Sequence, residues 1–315
     1  MYPGATEEVV KPILEQGGLK AGIDFGLAYS PERIDYGNRR YSLIDTPKVV
    51  GGVTPACTQI AASLYRSVLR ARIVEVRDTR TAEATKMLEN TYRYVNIALV
   101  NELAILHERL GIDFYEVIEA ASTKPFGFEP FYPGPGVGGH CIPKDPHYLG
   151  YSARKLGMPL RLISLSQDIN EGMVDYIIGR LENYLKRKQR SMRSLRVAIL
   201  GLAFKRDVFD TRNSPSIKLA EGLMELGAEV TAYDPLVRSI SAGTQSLISG
   251  RDLNEVVEGV DVLVLATPHT SFREIDLPRL KSYANSNAVI LDIRGFWSPS
   301  ECKMAGFDYL GLGRP

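Results

Sequence analysis

The chain has 315 residues, which predicts about two domains. Apolar residues make up 44% and charged residues 24%, so the composition is globular and excludes disorder, a collagen-like fibre and a coiled-coil rod. Thirty-eight basic and 37 acidic side chains leave a net charge of +1, which argues against nucleic-acid binding. The sequence contains no run of about 18 apolar residues, so no membrane-spanning helix is predicted. The three widely spaced cysteines favour a reducing, cytoplasmic setting over a disulfide framework.

Residues 1–78 are predicted to contain α and β pieces. We expect a short helix from Thr6, strands over 25–29, 48–52 and 73–76, and a helix from Thr54 to about Arg70. These pieces are too few to close a doubly wound sheet that includes its own first βαβ unit. We therefore expect the C-terminal remnant of an N-terminal Rossmann domain, with an apolar exposed face.

Residues 79–190 are predicted to form a central helical domain. A helix over 81–110 contains neither glycine nor proline, and its wide apolar coverage predicts a homodimer built on this helix. A shorter helix over 114–121 follows. Residues 124–146 combine prolines, glycines and aromatic residues, which predicts an ordered loop rather than a linker. A helical pattern then continues from about Pro146 to Lys188.

Residues 191–315 are predicted to form a separate domain with a parallel sheet. Strands over 196–201, 228–233, 261–266 and 288–293 alternate with helices, and the best-defined helix runs from Pro215 to Leu226. The fold class is thus α/β, with a Rossmann remnant, a long central helix in a helical dimerisation domain, and a C-terminal Rossmann-like domain. Ligands are expected at the carboxyl ends of the parallel strands.

Two glycine-bearing stretches could indicate a phosphate site. The stretch Gly134-Pro135-Gly136-Val137-Gly138-Gly139 matches G-x-G-x-x-G, but no strand precedes it and no helix start follows it, so it is not a dinucleotide fingerprint. Its glycines are expected to permit close backbone approach or positive φ. The stretch Gly201-Leu202-Ala203-Phe204-Lys205 follows a strand with only one glycine. This predicts Rossmann-like topology without a pyrophosphate cradle.

The strongest candidate for a nucleophile is Cys141. It lies in the glycine-rich loop beside a histidine and near Lys144, a setting that favours the reactive thiolate, although most cysteines are small buried apolar residues. Lys86 and Asn90 lie four residues apart on one helix face, where they could stabilise an oxyanion or form an ordinary exposed pair.

Two further residues near these candidates have weaker support. Glu32 follows Ser30-Pro31 at a strand end, a frequent position for catalytic side chains, or it is a surface carboxylate. His140 could act as a base for Cys141 in a cysteine hydrolase. That pairing is disfavoured because neighbouring residues of an extended segment point to opposite sides. No metal-ligand cluster is predicted.

Four motifs occur together in a recognisable order. They are Ser30-Pro31-Glu32-Arg33-Ile34, Glu83-x-x-Lys86-x-x-x-Asn90, Gly134 to Pro146 with Gly139-His140-Cys141, and Gly201-Leu202-Ala203-Phe204-Lys205-x-Asp207-x-x-Asp210-x-Arg212. The set resembles the nucleotide-sugar 6-dehydrogenases, the UDP-glucose/GDP-mannose dehydrogenase superfamily. The Gly-His-Cys form of the loop is most similar to the UDP-N-acetylglucosamine and UDP-N-acetylmannosamine 6-dehydrogenases.

This resemblance implies an NAD-dependent, four-electron oxidation of the sugar C6 hydroxyl. Cys141 would form a thiohemiacetal and then a thioester, Lys86 and Asn90 would stabilise the oxyanion, and Asp145 would transfer protons with Lys86. Glu32 would assist thioester hydrolysis, and Arg212 would contact NAD. The residues implied in holding the UDP-sugar are Tyr132, Pro133, Gly134, Gly136, Gly138, Phe204, Lys205 and Arg294.

The sequence departs from the family pattern at its N-terminus. The strand with G-x-G-x-x-G, the acidic ribose residue and the Ser/Thr before the Pro-Gly turn are not present. We therefore expect a chain that lacks most of the NAD-binding domain, that is weak or inactive alone, and that works with a separate NAD-binding domain. The alternative is a non-catalytic UDP-sugar-binding protein. The epimer of the hexosamine stays open.

Overall fold

The computed structural model describes residues 1–35, 37–38, 41–242 and 245–315. These residues form two compact units. The first comprises Met1–Tyr94 and Cys141–Ile163, and the second comprises Val95–His140 and Ser164–Pro315. In the described part of the chain, no helix has the length and apolar character needed to cross a membrane.

A small sheet organises the first unit. Strand β1 (Ala28–Tyr29) pairs antiparallel with β2 (Lys48–Gly52), and β2 pairs parallel with β3 (Ile73–Glu75). Helix α2 (Pro55–Val68) follows β2 directly, because the Thr54 side chain accepts a hydrogen bond from the Cys57 amide and Pro55 fits the first helical turn. Every residue of β2 is buried, as expected for the middle strand.

One face of α2 is apolar and exposed. Ile60, Leu64 and Val68 recur every four residues, and each is about two-thirds exposed, at 65%, 66% and 65%. This agrees with the apolar exposed face that the sequence predicts for residues 1–78.

The helices before and after the small sheet differ greatly in length. A π-helical turn (Thr6–Val10), α1 (Lys11–Leu14) and a 3₁₀ turn (Glu15–Gly17) replace the single short helix that the sequence predicts. Helix α3 (Thr79–Arg109) has 31 residues and confirms the predicted long helix. Its first turn is capped by Asp78, whose carboxylate accepts from the Thr81 amide at 2.8 Å.

The remaining helices of the central part are α4 (Phe114–Ser122), α5 (Asp145–Lys155) and α6 (Arg161–Arg187). The sequence prediction of one helical stretch from Pro146 to Lys188 is therefore wrong. Gly157, at a φ of +69°, ends α5, and Pro159 prevents continuation into α6. The predicted ordered loop is confirmed between α4 and α5.

A five-stranded parallel sheet organises the second unit. The strands are β4 (Arg196–Leu200), β5 (Glu229–Tyr233), β8 (Val262–Leu265), β9 (Val289–Asp292) and β10 (Asp308–Gly311), in the order β10-β9-β8-β4-β5. The four predicted strands are thus confirmed with small shifts at their ends. Along β4, Val197 and Ile199 enter one apolar core, whereas Ala198 and Leu200 enter the other, so the sheet is buried on both faces.

Shorter elements complete this unit. They are α7 (Pro215–Glu225), the antiparallel pair β6 (Ser239–Ala242) and β7 (Gln245–Ile248), α8 (Leu253–Val257), a 3₁₀ turn (Thr270–Glu274), α9 (Leu277–Tyr283) and α10 (Pro299–Met304). The sequence reasoning did not find β6, β7 or β10. Each mixes polar with apolar residues and lacks the run of four apolar residues that marks β8 and β9.

Candidate active site

The candidate nucleophile is tied to the start of α5 by a tight turn. The Cys141 carbonyl accepts hydrogen bonds from the Lys144 amide at 3.0 Å and the Asp145 amide at 2.8 Å. The Cys141 side chain is exposed, whereas Cys57 and Cys302 are buried. Cys141 is therefore the cysteine that a substrate can reach, and the turn fixes its position relative to Asp145.

Helix α3 supplies the partners that the sequence predicts. The Asn90 amide nitrogen donates to the Asp145 carboxylate at 2.5 Å, and both side chains are buried. One turn earlier on the same face, the Lys86 ammonium donates to the carbonyl oxygen of Glu32 at 2.7 Å. The first unit thus brings the Asn90 amide and the Asp145 carboxylate together at the segment that carries Cys141, with Lys86 one helical turn from Asn90.

Glu32 contacts this cluster through its backbone. Its carboxylate accepts from the amides of Arg33 at 2.7 Å and Ile34 at 2.8 Å, and its other oxygen lies 3.4 Å from the Lys48 ammonium. Partial burial acts to raise the pKa of Glu32, but the Ile34 amide and Lys48 outweigh burial and lower it. The carboxylate is consequently well suited to orient water and less suited to accept a proton.

Two residues of this unit were assigned no role from the sequence. Glu83 is fully buried, and its carboxylate accepts from the Gly4 amide, the Thr6 amide and the Thr6 hydroxyl at 2.5, 2.8 and 2.6 Å. Three hydrogen bonds to one carboxylate fix the N-terminal turn to α3. The signal that could have found Glu83 is its place three residues before Lys86, on the same helix face.

Tyr29 is the second such residue. Burial raises its pKa to about 12, and the negative charges of Glu83, Asp145 and Cys141 act in the same direction. The charges that act on Tyr29 place its hydroxyl in the electrostatic environment of the candidate nucleophile. Its position directly before Ser30-Pro31-Glu32 is the only sequence signal.

The glycine-rich loop belongs mainly to the second unit, where it packs tightly. A Cβ on Gly138 would lie 2.8 Å from the Phe204 Cβ, and one on Gly134 would lie 2.3 Å from an Arg294 guanidinium nitrogen. Gly136 has a φ of +103°, which other residues rarely adopt. The glycines therefore permit the expected close approach, here to side chains of the UDP-sugar candidates Phe204 and Arg294.

The single-glycine turn after β4 is closed by an internal carboxylate. Asp234, at the end of β5, accepts from the amides of Leu202 at 2.7 Å and Ala203 at 3.1 Å, and it lies 3.0 Å from His269 Nε2. Since His269 Nδ1 accepts from the Asp207 amide, Nε2 carries the proton and donates to Asp234. A phosphate cannot use amides that a buried carboxylate already occupies. This arrangement explains why the turn is no pyrophosphate cradle.

The other candidate residues of this unit lie as follows. Tyr132 is half exposed, and Lys205 is partly buried. Arg294 donates from Nε to the Ala266 carbonyl at 2.8 Å, and burial lowers its pKa to about 10. Arg212 is exposed and forms hydrogen bonds with the Asp210 carboxylate, at 2.6 Å for the shortest. The roles inferred for these residues stay predictions.

Comparison with protein families gives three ordered matches. The model described as the UDP-glucose/GDP-mannose dehydrogenase family, NAD binding domain, matches residues 1–69; the central domain matches 80–172, and the UDP binding domain matches 198–299. A UDP-N-acetyl-D-mannosamine dehydrogenase from Pyrococcus horikoshii is 37% identical over 312 residues, which cover 99% of this chain and 70% of the relative. The chain belongs to the UDP-glucose/GDP-mannose dehydrogenase family.

Other members of the family support this assignment. A UDP-N-acetyl-D-glucosamine 6-dehydrogenase from Pseudomonas aeruginosa is 35% identical over 297 residues, covering 93% of this chain and 69% of the relative. The solved structure of a UDP-D-ManNAc dehydrogenase from P. horikoshii is 36% identical and superimposes with a TM-score of 0.89, covering all of this chain and 71% of the other. The chain is thus an NAD-dependent nucleotide-sugar dehydrogenase by family.

The comparison corrects one expectation. The prediction that most of the NAD-binding domain is absent is not supported, because the NAD binding domain model matches residues 1–69. The weak activity and the separate NAD-binding partner inferred from that absence lose their basis. NAD is the cofactor of the family, but residues 1–69 contain no G-x-G-x-x-G turn, so the donors for its pyrophosphate are not assigned to this segment.

Proposed function

We propose that this dehydrogenase oxidises the C6 hydroxyl of a UDP-N-acetylhexosamine to a carboxylate in an NAD-dependent four-electron reaction. The observation that carries the proposal is the cluster of exposed Cys141, Asp145 and Asn90, with Lys86 one helical turn from Asn90. The relatives named for UDP-N-acetyl-D-mannosamine and UDP-N-acetyl-D-glucosamine support this class of substrate.

The first step that the chain's own residues carry is covalent addition. NAD, when bound, accepts the hydride that leaves C6 in each of the two oxidations. The thiolate of Cys141 adds to the C6 aldehyde, forming the carbon–sulfur bond and placing negative charge on the former carbonyl oxygen. The Lys86 ammonium and the Asn90 amide stabilise this oxyanion and the thiohemiacetal that follows.

The second half of the reaction releases the product. Loss of hydride from the thiohemiacetal leaves a thioester on Cys141. Water then attacks the thioester carbon, its proton passes to the Asp145 carboxylate, which acts together with the Lys86 ammonium, and the carbon–sulfur bond breaks to return the thiolate. Glu32 assists by orienting the water, which agrees with its lowered pKa.

The binding groups of the proposal lie in the second unit. Tyr132 to Gly138, Phe204, Lys205 and Arg294 hold the UDP-sugar, and Arg212 contacts NAD. We also propose a homodimer through α3. Leu88, Tyr92, Leu99 and Leu106 are all about half exposed or more along that helix, which leaves an apolar stripe for a second copy.

The test is NADH formation by the purified full chain, followed by absorbance with UDP-N-acetylglucosamine, UDP-N-acetylmannosamine and UDP-glucose. We expect two NADH per sugar with one of the two N-acetylated substrates, and loss of this activity in Cys141→Ser. Cys302→Ala, a change at a buried cysteine outside the cluster, is the control and should retain activity. A chain that binds the UDP-sugar in calorimetry but forms no NADH would instead be the non-catalytic binding protein, which the dehydrogenase relatives do not favour.

A further inference from the structure

Tyr115, the second residue of α4, contacts Tyr132 and the turn at Arg294, two of the sites proposed to bind the UDP-sugar. It is only 5% exposed, and its ring stacks on the half-exposed ring of Tyr132, with centroids 6.1 Å apart and planes inclined by 22°. The half-exposed ring of Tyr132 is thus packed on one side against the buried ring of Tyr115. Such stacked pairs add stability beyond the area they bury.

The same ring supports the turn that carries Arg294. A Cβ on Gly295 would lie 2.2 Å from Cζ of Tyr115, and Gly295 has a φ of +60°. Only glycine lets this turn lie so close to the ring. The preceding residue, Arg294, packs in turn against Gly134 of the glycine-rich loop. The Tyr115 ring therefore packs against both Tyr132 and the turn that carries Arg294.

Tyr115 is itself held rigidly. Its amide donates to the Asp113 carboxylate at 2.9 Å, and the Arg314 guanidinium lies 4.5 Å from its ring centroid. Arg314 is fixed by Asp113 at 3.1 Å and by the Trp297 carbonyl at 3.0 Å. By contrast, the Tyr115 hydroxyl is buried with no hydrogen-bond partner among the described residues. The ring is therefore the part of this side chain that makes the contacts.

We propose that Tyr115 is a positioning residue for the UDP-sugar: its ring holds Tyr132 and the Arg294–Gly295 turn in the geometry that binds the nucleotide sugar. This inference rests on the proposed function, since Tyr132 and Arg294 are taken to touch the substrate. Tyr115 acts through them and not on the reacting carbon. Its loss should consequently change substrate affinity and leave the chemical step unchanged.

The experiment compares ring and hydroxyl in the full chain. Tyr115→Phe keeps the ring and removes an unpaired hydroxyl, so calorimetry with UDP-N-acetylglucosamine and UDP should give a Kd within about twofold of wild type. Tyr115→Leu removes the stacking, so Kd and KM should rise about 3- to 10-fold while kcat stays within about twofold. Tyr184→Leu is the matched control, because the Tyr184 hydroxyl donates to Asp308 at the first residue of β10, at the opposite end of the sheet from the Arg294 turn that follows β9, and it should leave KM unchanged.

Gly295→Ala tests the same contact from the opposite partner and does not depend on the folding of the leucine variant. The new methyl group must displace the ring, so KM should rise. In the double variant with Tyr115→Leu the methyl finds space, so the two effects should not add. An unchanged KM in Tyr115→Leu, an equal loss in Tyr115→Phe, or additive effects in the double variant would overturn the inference.

The two proposals fail in different ways. If the wild-type chain binds neither UDP nor a UDP-N-acetylhexosamine, the proposed function is wrong and the inference about Tyr115 falls with it. If the wild type binds and turns over, and the Tyr115 variants behave as wild type, only this inference is wrong.

Discussion

Alkylation by iodoacetamide should mark Cys141 selectively in the folded chain. Burial raises the pKa of Cys302 to about 12, so at pH 8 about one Cys302 in ten thousand is ionised, against about one in four for an ordinary exposed thiol. The thiolate of a less acidic thiol is more nucleophilic, which offsets roughly 1.6 of these 3.4 powers of ten and leaves a rate ratio of about 60. Burial of the Cys302 side chain increases the ratio further.

Cys57 makes the experiment decisive. Burial acts to raise its pKa, but hydrogen bonds from Thr54 and from backbone amides lower it, so its thiolate is more populated while its side chain stays buried. Mass spectrometry of tryptic peptides over time should therefore show Cys141 first, with all three cysteines similar in guanidinium. Equal rates in the folded chain, or alkylation of Cys57 ahead of Cys141, would refute this reasoning.

Three further predictions follow from the contacts described. Asn90→Ala leaves the buried Asp145 carboxylate without its amide donor, so urea unfolding should show a loss of about 1–3 kcal/mol and turnover should fall. Asp234→Asn should lower the free energy of unfolding by about 2 kcal/mol at pH 7, because the folded state favours the ionised carboxylate. Because the folded pKa of Asp234, about 2, lies below its unfolded value, the contribution is present above about pH 4 and should shrink as urea melts are taken toward pH 2. Light scattering should give twice the chain mass, and Leu99→Glu on the exposed stripe of α3 should give a monomer.

The sequence predicts the regular parts of the fold where their patterns are clear. Helix α3 carries a helical period over 31 residues, β4, β8 and β9 follow runs of apolar residues, and β5 alternates apolar and polar residues. The break between α5 and α6 was missed because a helical pattern on both sides hid Gly157. Strand β10 mixes polar and apolar residues over its four positions and gives no such signal, and only its pairing with β9 defines it.

The sequence predicts which residues belong to the candidate site, but only the folded structure shows which of them are in contact. The i, i+4 spacing on α3 predicts that Lys86 and Asn90 share a face, yet nothing in it shows that Asn90 bonds to Asp145, 55 positions further along the chain. Glu83 and Tyr115 were missed for the same reason. Each acts through partners distant in sequence, and each looks like an ordinary helix residue in its own segment.

In this Rossmann-like domain, a single side chain, Asp234, prevents the turn after the first strand from binding the pyrophosphate of a dinucleotide. In a dinucleotide-binding turn the amides after the first strand face a phosphate. Here the equivalent amides of Leu202 and Ala203 face a carboxylate that stays ionised above a pKa of about 2. A phosphate approaching this turn would lose the amide donors and meet a like charge, both of which oppose binding. We therefore expect a nucleotide sugar to be held elsewhere in this unit, and the proposed residues Lys205 and Arg294 carry the positive charge that a diphosphate requires.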